Sequence, residues 1–317
     1  ATEVIYKPHS LAHELLFQNL QKRIGEGISL WDRSMSPKIV SRPEYGWEEK
    51  ICAQECTDQP EIQRFYERAG MQLFLAYLLG TGDLHYENMI ARGEYPVLID
   101  LETLIRLRAK GVPRDAFSDS VLGSGILPVY LPDDQRTGTD VGALRGEGKK
   151  KSRMLVPVFL DAYTSKMRIE YRHGVMGHAQ NRVRCQGQPV EAENYTKELV
   201  SGFKKAYQFV KDSPEMQNYI LGQAENCQSR QLLSDTMKYA ALLNSSFHPD
   251  LLGDGGDRDL FVHSVGLIGK SREQQIVECE AQAMLRGDIP SFYNKGKHLM
   301  CGGEICISDY FADTPKQ

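Results

Sequence analysis

The sequence predicts an α+β chain, with short strands near its start and helices dominating after them. Three observations carry this. Apolar alternation marks strands at 4–7 and about 45–52. The blocks NMIA, RGEYP and VLID, from Asn88 to Asp100, read as a short hairpin. Helical periodicity governs 11–22, 59–79, 195–211, 231–244 and 273–285.

Each element has a local cause. Pro8 ends the first strand after Lys7. Ser10 is placed to cap the first helix, with Leu11, Leu15, Leu16 and Leu20 on one face and Gly25 and Gly27 at its end. Asp58-Gln-Pro-Glu61 is a capping box with an early proline, and Gly80 stops the helix it opens. Residues 105–155 are rich in Gly, Pro, Asp and Lys and read as a long loop. The run GKKKSR at 148–153 lies in it, either a solvated basic loop or a patch for phosphate or acidic peptide. Ser271 and Gln274 form the capping box of the last helix.

Bulk properties narrow the classes. The 317 residues suit two domains or one two-lobed unit, and 41% hydrophobic with 25% charged residues supports a packed core. A net charge of −4 gives no electrostatic case for nucleic acid. The longest apolar run, near 71–79, is too short to span a bilayer, and no signal segment opens the chain, so a cytoplasmic location is expected. Seven cysteines, at 52, 56, 185, 227, 279, 301 and 306, lack a matching Cys/His partner pair. They read as free thiols, with a zinc site as the weaker alternative. A strand that begins with the first residues leads us to expect a segment of a longer protein.

The chemistry is concentrated in GDLHYENMIARGEYPVLIDLET, from Gly82 to Thr103. Asp83 and Asn88 stand five residues apart after a long helix, the gap of a kinase catalytic loop. One carboxylate must sit by the attacking hydroxyl, and one amide oxygen must ligate a metal that bridges the phosphates. Asp100, at the end of an apolar strand, is placed where a second metal-binding carboxylate is held rigidly. His85 either orients Asp83 or touches phosphate, or braces the loop. Lys7 fits the lysine that holds the α/β-phosphates, although strand-end lysines are commonly just solvated; Glu14, Glu48 and Glu49 are all candidates to pair with it.

YKPHSL, YGWEE, FYERAG, GDLHYENMIARGEYPVLIDLETL and GDIPSF together resemble the dehydratase domain of class II lanthipeptide synthetases, the LanM type, from Tyr6 to Phe292. The resemblance implies an elaborated fold like that of protein and lipid kinases. Residues 1–56 would form part of the small lobe and 57–317 a mostly helical large lobe. It implies ATP and Mg²⁺ as cofactors and a ribosomal precursor peptide, leader and core, as partner. Ser and Thr would be phosphorylated and the phosphate then eliminated to dehydroalanine or dehydrobutyrine. A zinc cyclase domain normally follows and is not in this chain.

By position, Lys7 resembles the family's phosphate-binding lysine, Asp83, His85 and Asn88 its catalytic-loop set, and Asp100 its metal aspartate. Glu102 is a weaker metal candidate. The family's elimination step uses an Arg and a Thr six residues apart on a helical segment, the gap of Arg230 and Thr236. Ser234 and Asp235 replace a basic residue often found between them. Two rival readings remain: a plain kinase that stops at phosphorylation, and a non-catalytic kinase-like module for a leader peptide. Asp254-Gly-Gly-Asp257 reads as a Gly/Asp turn rather than a calcium loop.

Overall fold

The computed structural model describes residues 3–113, 115–131, 139–148, 151–267 and 273–312. In chain order the elements are β1 (Val4–Lys7), α1 (Ala12–Gly27), β2 (Ile39–Ser41), β3 (Gly46–Glu49), α2 (Gln59–Leu79), β4 (Met89–Arg92) and β5 (Tyr95–Leu98). The two-residue strands β6 (Tyr130–Leu131) and β7 (Thr139–Asp140) follow, then β8 (Lys151–Leu160), β9 (Arg168–Val175), β10 (Arg184–Cys185) and β11 (Gln188–Pro189). The rest comprises α3 (Thr196–Lys211), α4 (Pro214–Asn226), α5 (Thr236–Ser245), α6 (Gly255–His263), α7 (Gln274–Leu285), β12 (Phe292–Lys295), β13 (His298–Cys301) and β14 (Glu304–Ile307). They fall into two compact units.

The first unit takes Ala1–Arg106, Pro113–Lys151 and Val175–Ser229. Its opening sheet has the antiparallel order β1-β3-β2, with Lys7 opposite Gly46 and Ile5 opposite Glu48. Helix α2 begins as its capping box requires. Asp58 Oδ1 accepts from the Glu61 amide at 2.9 Å, and Glu61 Oε2 accepts from the Thr57 amide at 2.7 Å. It ends at Gly80, whose φ of +70° closes the helix in the left-handed region. Helix α2 packs on α3 through two glycines. A Cβ on Gly70 would meet the Leu199 carbonyl oxygen at 2.0 Å, and one on Gly202 would meet that of Glu67 at 1.8 Å. Only glycine allows that approach.

The second unit takes Leu107–Val112, Ser152–Gly174 and Arg230–Gln317. Tyr239, Val262, Val265, Ala281 and Met284 form one core within it, and Ile276, Phe292, Leu299 and Phe311 another. The antiparallel sheet β12-β13-β14 supplies part of the latter. Among the described residues no helix is long and apolar enough to cross a membrane.

Several local expectations are corrected. Ser10 does not cap α1: its hydroxyl meets Ser41 Oγ at 3.3 Å, and the N-cap is Leu11 without a side-chain bond. Gly25 lies inside the helix, which runs to Gly27. The helix expected over 231–244 starts only at Thr236, because Gln231 is committed elsewhere: its amide donates to the Phe292 carbonyl at 2.8 Å. The second strand is shorter than 45–52, and β2, α4, α6, β8, β9 and β12 to β14 were not expected. Asp254 is the N-cap of α6, its Oδ1 accepting from the Gly256 amide at 2.8 Å. Ser271 of the last predicted capping box, and Lys149 and Lys150 of the basic run, lie outside the described residues.

Candidate active site

The segments around Asp83 and Asp100 are sewn together by backbone and side-chain bonds within the first unit. The Thr103 hydroxyl donates to the Gly82 carbonyl at 2.8 Å, and the Thr81 hydroxyl to the Leu104 carbonyl at 2.7 Å. The Ile99 amide donates to the Asn88 carbonyl at 3.0 Å, continuing the β4–β5 register in which Met89 faces Leu98. Asn88 Nδ2 donates to the Asp83 carbonyl at 2.8 Å. That bond fixes the amide and leaves its Oδ1 as an acceptor for a cation.

Asp83 and Asp100 both adopt left-handed backbone, with φ of +62° and +58°. Few non-glycine residues do so, and aspartate is among the more tolerant. Such strain persists where the surroundings enforce it, and it gathers at functional sites. Here the enforcing bonds are those on either side of each aspartate. The region read as a loop supplies further support. The Leu84 amide donates to the Ser124 carbonyl and the Tyr86 amide to that of Val141, each at 3.0 Å. Gly125, at φ +83°, lies so close to the Leu84 backbone that a Cβ would approach it at 3.1 Å.

His85 has a defined tautomer. The Glu87 amide donates to Nδ1 at 3.2 Å, so the ring proton belongs on Nε2, which lies 3.8 Å from Asp83 Oδ1. The histidine is thereby both a brace of the loop and a neighbour of the aspartate.

An ionisable cluster joins β1, α1 and β3 to this loop. Glu14 and Glu48 are only 2% and 3% exposed. Among the described residues, neither carboxylate oxygen of Glu14, nor Oε1 of Glu48, has a hydrogen-bond partner. Burial pushes the Glu14 carboxyl up to about 8, with Glu48 and Asp100 adding to the effect. Burial also raises Glu48, against the pull of the Lys7 ammonium, and Asp100 raises it further. Lys7, Glu14, Glu48 and Asp100 therefore share one electrostatic neighbourhood. His13 Nε2 lies 3.2 Å from Glu14 Oε2. This is not an ion pair: burial takes His13 down to about 4, so both groups are neutral near pH 7. His9 is different. Its Nε2 lies 2.9 Å from Glu102 Oε1, and that hydrogen bond raises its affinity for a proton.

Lys7, Asp83, His85, Asn88, Asp100 and Glu102 thus belong to the first unit, whereas Arg230 and Thr236 belong to the second. Arg230 is not helical but forms an antiparallel bridge with Tyr293; Thr236 is the exposed first residue of α5. Sequence reasoning overlooked His9 and His13. The signal for them was a pair of histidines four apart at the start of a helix, the second followed by Glu14, too common a pattern to single out. Among the described residues no group of three or more His, Cys, Asp or Glu side chains is arranged to hold a metal ion.

These features occur on a chain that matches, over residues 1–295, the family described as Domain of unknown function (DUF4135), and the chain belongs to that family. It is also similar to the lacticin 481/lactococcin biosynthesis protein LcnDR2 of Lactococcus lactis subsp. lactis, 26% identical over 311 residues. That match covers 92% of this chain and 33% of the relative, so the chain spans about a third of the curated protein's length. The resemblance to class II lanthipeptide synthetases is borne out by these two matches.

Proposed function

We propose that this chain is the dehydratase part of a lanthipeptide synthetase with a kinase-like fold, acting in lantibiotic maturation. It phosphorylates Ser and Thr of a ribosomal precursor peptide from ATP, then eliminates the phosphate. The observation that carries the reading is the stitching of Asp83, Asn88 and Asp100 by the Asn88–Asp83 and Ile99–Asn88 bonds, with both aspartates in strained backbone.

In phosphorylation the Asp83 carboxylate accepts the proton of the substrate hydroxyl as its oxygen attacks the γ-phosphorus. His85, with Nε2 3.8 Å from Asp83 Oδ1, stands beside that carboxylate. Lys7 holds the α/β-phosphates, with Glu48 as the acidic group whose titration its charge affects. Asn88 Oδ1 and Asp100 would hold Mg²⁺, with Glu102 as a further candidate. A partial donor set suits this ion, which keeps water and phosphate ligands rather than a full protein cage. Bound there, Mg²⁺ supplies neutralising charge for the phosphates.

In elimination the α-proton of the phosphorylated residue is removed by a base. The Cα–H bonding pair forms the Cα–Cβ double bond, and phosphate departs with the Cβ–O pair. Arg230 grips the departing phosphate through two guanidinium N–H groups, and Thr236 is the second residue assigned to this step.

The test is mass spectrometry of a precursor peptide after incubation with ATP, Mg²⁺ and the intact protein carrying Arg230→Ala. Phosphopeptide should accumulate where the unsubstituted protein yields dehydrated product. Normal dehydration by the variant removes Arg230 from the mechanism. Phosphopeptide as the only product of the unsubstituted protein makes it a plain kinase.

A further inference from the structure

Outside this site the second unit gathers three thiols. Cys279 lies on α7, Cys301 ends β13 and Cys306 lies on β14. Cys279 Sγ and Cys306 Sγ are 3.2 Å apart, across 27 residues of chain. Cys306 Sγ also reaches the Gln275 carbonyl at 3.5 Å, one turn before Cys279, so it lies along a single face of α7. Cys301 packs on the same core as Cys279 and feels its thiol electrostatically. Cys279 is therefore the shared neighbour of the other two.

All three are partly accessible and pack against Ile276, Phe292, Leu299 and Phe311. Chemistry at them therefore touches a core while staying in reach of small solutes. The group is not arranged to hold a metal ion. Burial and the neighbouring thiols push Cys301 up to about 12 and Cys306 higher still, so both are protonated near pH 7.

We propose that Cys279 and Cys306 form a reversible disulfide on exposure to a low-molecular-weight disulfide, with Cys301 as the exchange partner. One protein sulfur, as thiolate, attacks a sulfur of the small disulfide, and the first small thiol leaves with a proton. The second protein sulfur loses its proton, attacks the mixed disulfide and expels the second small thiol. Two protein thiols are oxidised, and one small disulfide is reduced to two thiols. Attack by Cys301 on the Cys279 sulfur moves the bond to Cys279–Cys301 and frees Cys306. The product ties α7 to its sheet and closes a long loop, which restricts the unfolded chain.

The test uses the intact protein equilibrated with oxidised or reduced glutathione, then alkylated, digested without reductant and mapped by mass spectrometry. The expected product is a Cys279–Cys306 linked peptide, with a melting temperature several degrees higher that falls back with reductant. Cys306→Ser should redirect the link to Cys279–Cys301, and Cys279→Ser should abolish both. Seven alkylated thiols in the oxidised sample, or the same linkage yield at unrelated cysteines such as Cys52, would overturn the proposal. So would a link between Cys301 and Cys306 that persists in Cys279→Ser.

Discussion

His9 Nε2 stands 2.9 Å from Glu102 Oε1 and joins the segment after Lys7 to the residue two beyond Asp100. The two segments are thus joined by a charge-assisted hydrogen bond. Its partners are 25% and 23% exposed, so solvent screens it only in part.

His9→Gln should cost about 1–2 kcal/mol of stability, read by denaturant unfolding at pH 6. The sign with pH follows from the raised affinity of folded His9 for a proton. The contribution is complete below the unfolded value of 6.5 and is lost as pH rises through the higher folded value. The gap between variant and parent should narrow accordingly. A gap that widens with pH would show that His9 acts through packing.

Glu14 and His13 impose opposite slopes. Glu14 moves from 4.5 to about 8 on folding, so its contribution falls between those values as pH rises. His13 moves from 6.5 to about 4, so its contribution grows from about 4 to 6.5. The two offset each other up to pH 6.5, and stability then declines to about pH 8. Glu14→Gln should flatten that alkaline decline; an unchanged slope in thermal melts from pH 6.5 to 8 would refute the assignment.

Asp100→Asn and Asp100→Ala separate chemistry from fold. Asparagine tolerates the φ of +58°, so the first variant should melt like the parent yet transfer no phosphate. Alanine should lose a further ~1–2 kcal/mol to left-handed strain. Peptide phosphorylation by Asp100→Asn near the parental rate would take Asp100 out of the site.

Gly202→Ala should cost about 1–3 kcal/mol, because its methyl would fall on the Glu67 carbonyl and α2 and α3 would have to part. Gly187, on an open turn at φ +76°, offers the contrast. Its alanine variant meets no neighbour, so only backbone strain remains. Chemical denaturation of both variants compares the two effects.

What was legible in the chain was local. The Asp58 capping box, the Gly80 stop and the β4–β5 hairpin depend on residues a few positions apart, and all appear as expected. Ser10 and Gln231 departed from expectation because distant partners, Ser41 and Phe292, took up their polar groups. Strand β8 carries Pro157, which argues against a strand, and most of β9 is exposed, so neither shows a one-sided apolar alternation.

The sequence by itself determined the order and spacing of Asp83, His85, Asn88 and Asp100, because a tight loop and a hairpin turn spacing directly into position. The tertiary structure alone decided that the Glu14 and Glu48 carboxyls are buried, that His9 meets Glu102, and that Cys279 lies against Cys306. Burial and pairing between residues so far apart depend on how elements pack, and no short-range pattern in the chain encodes that.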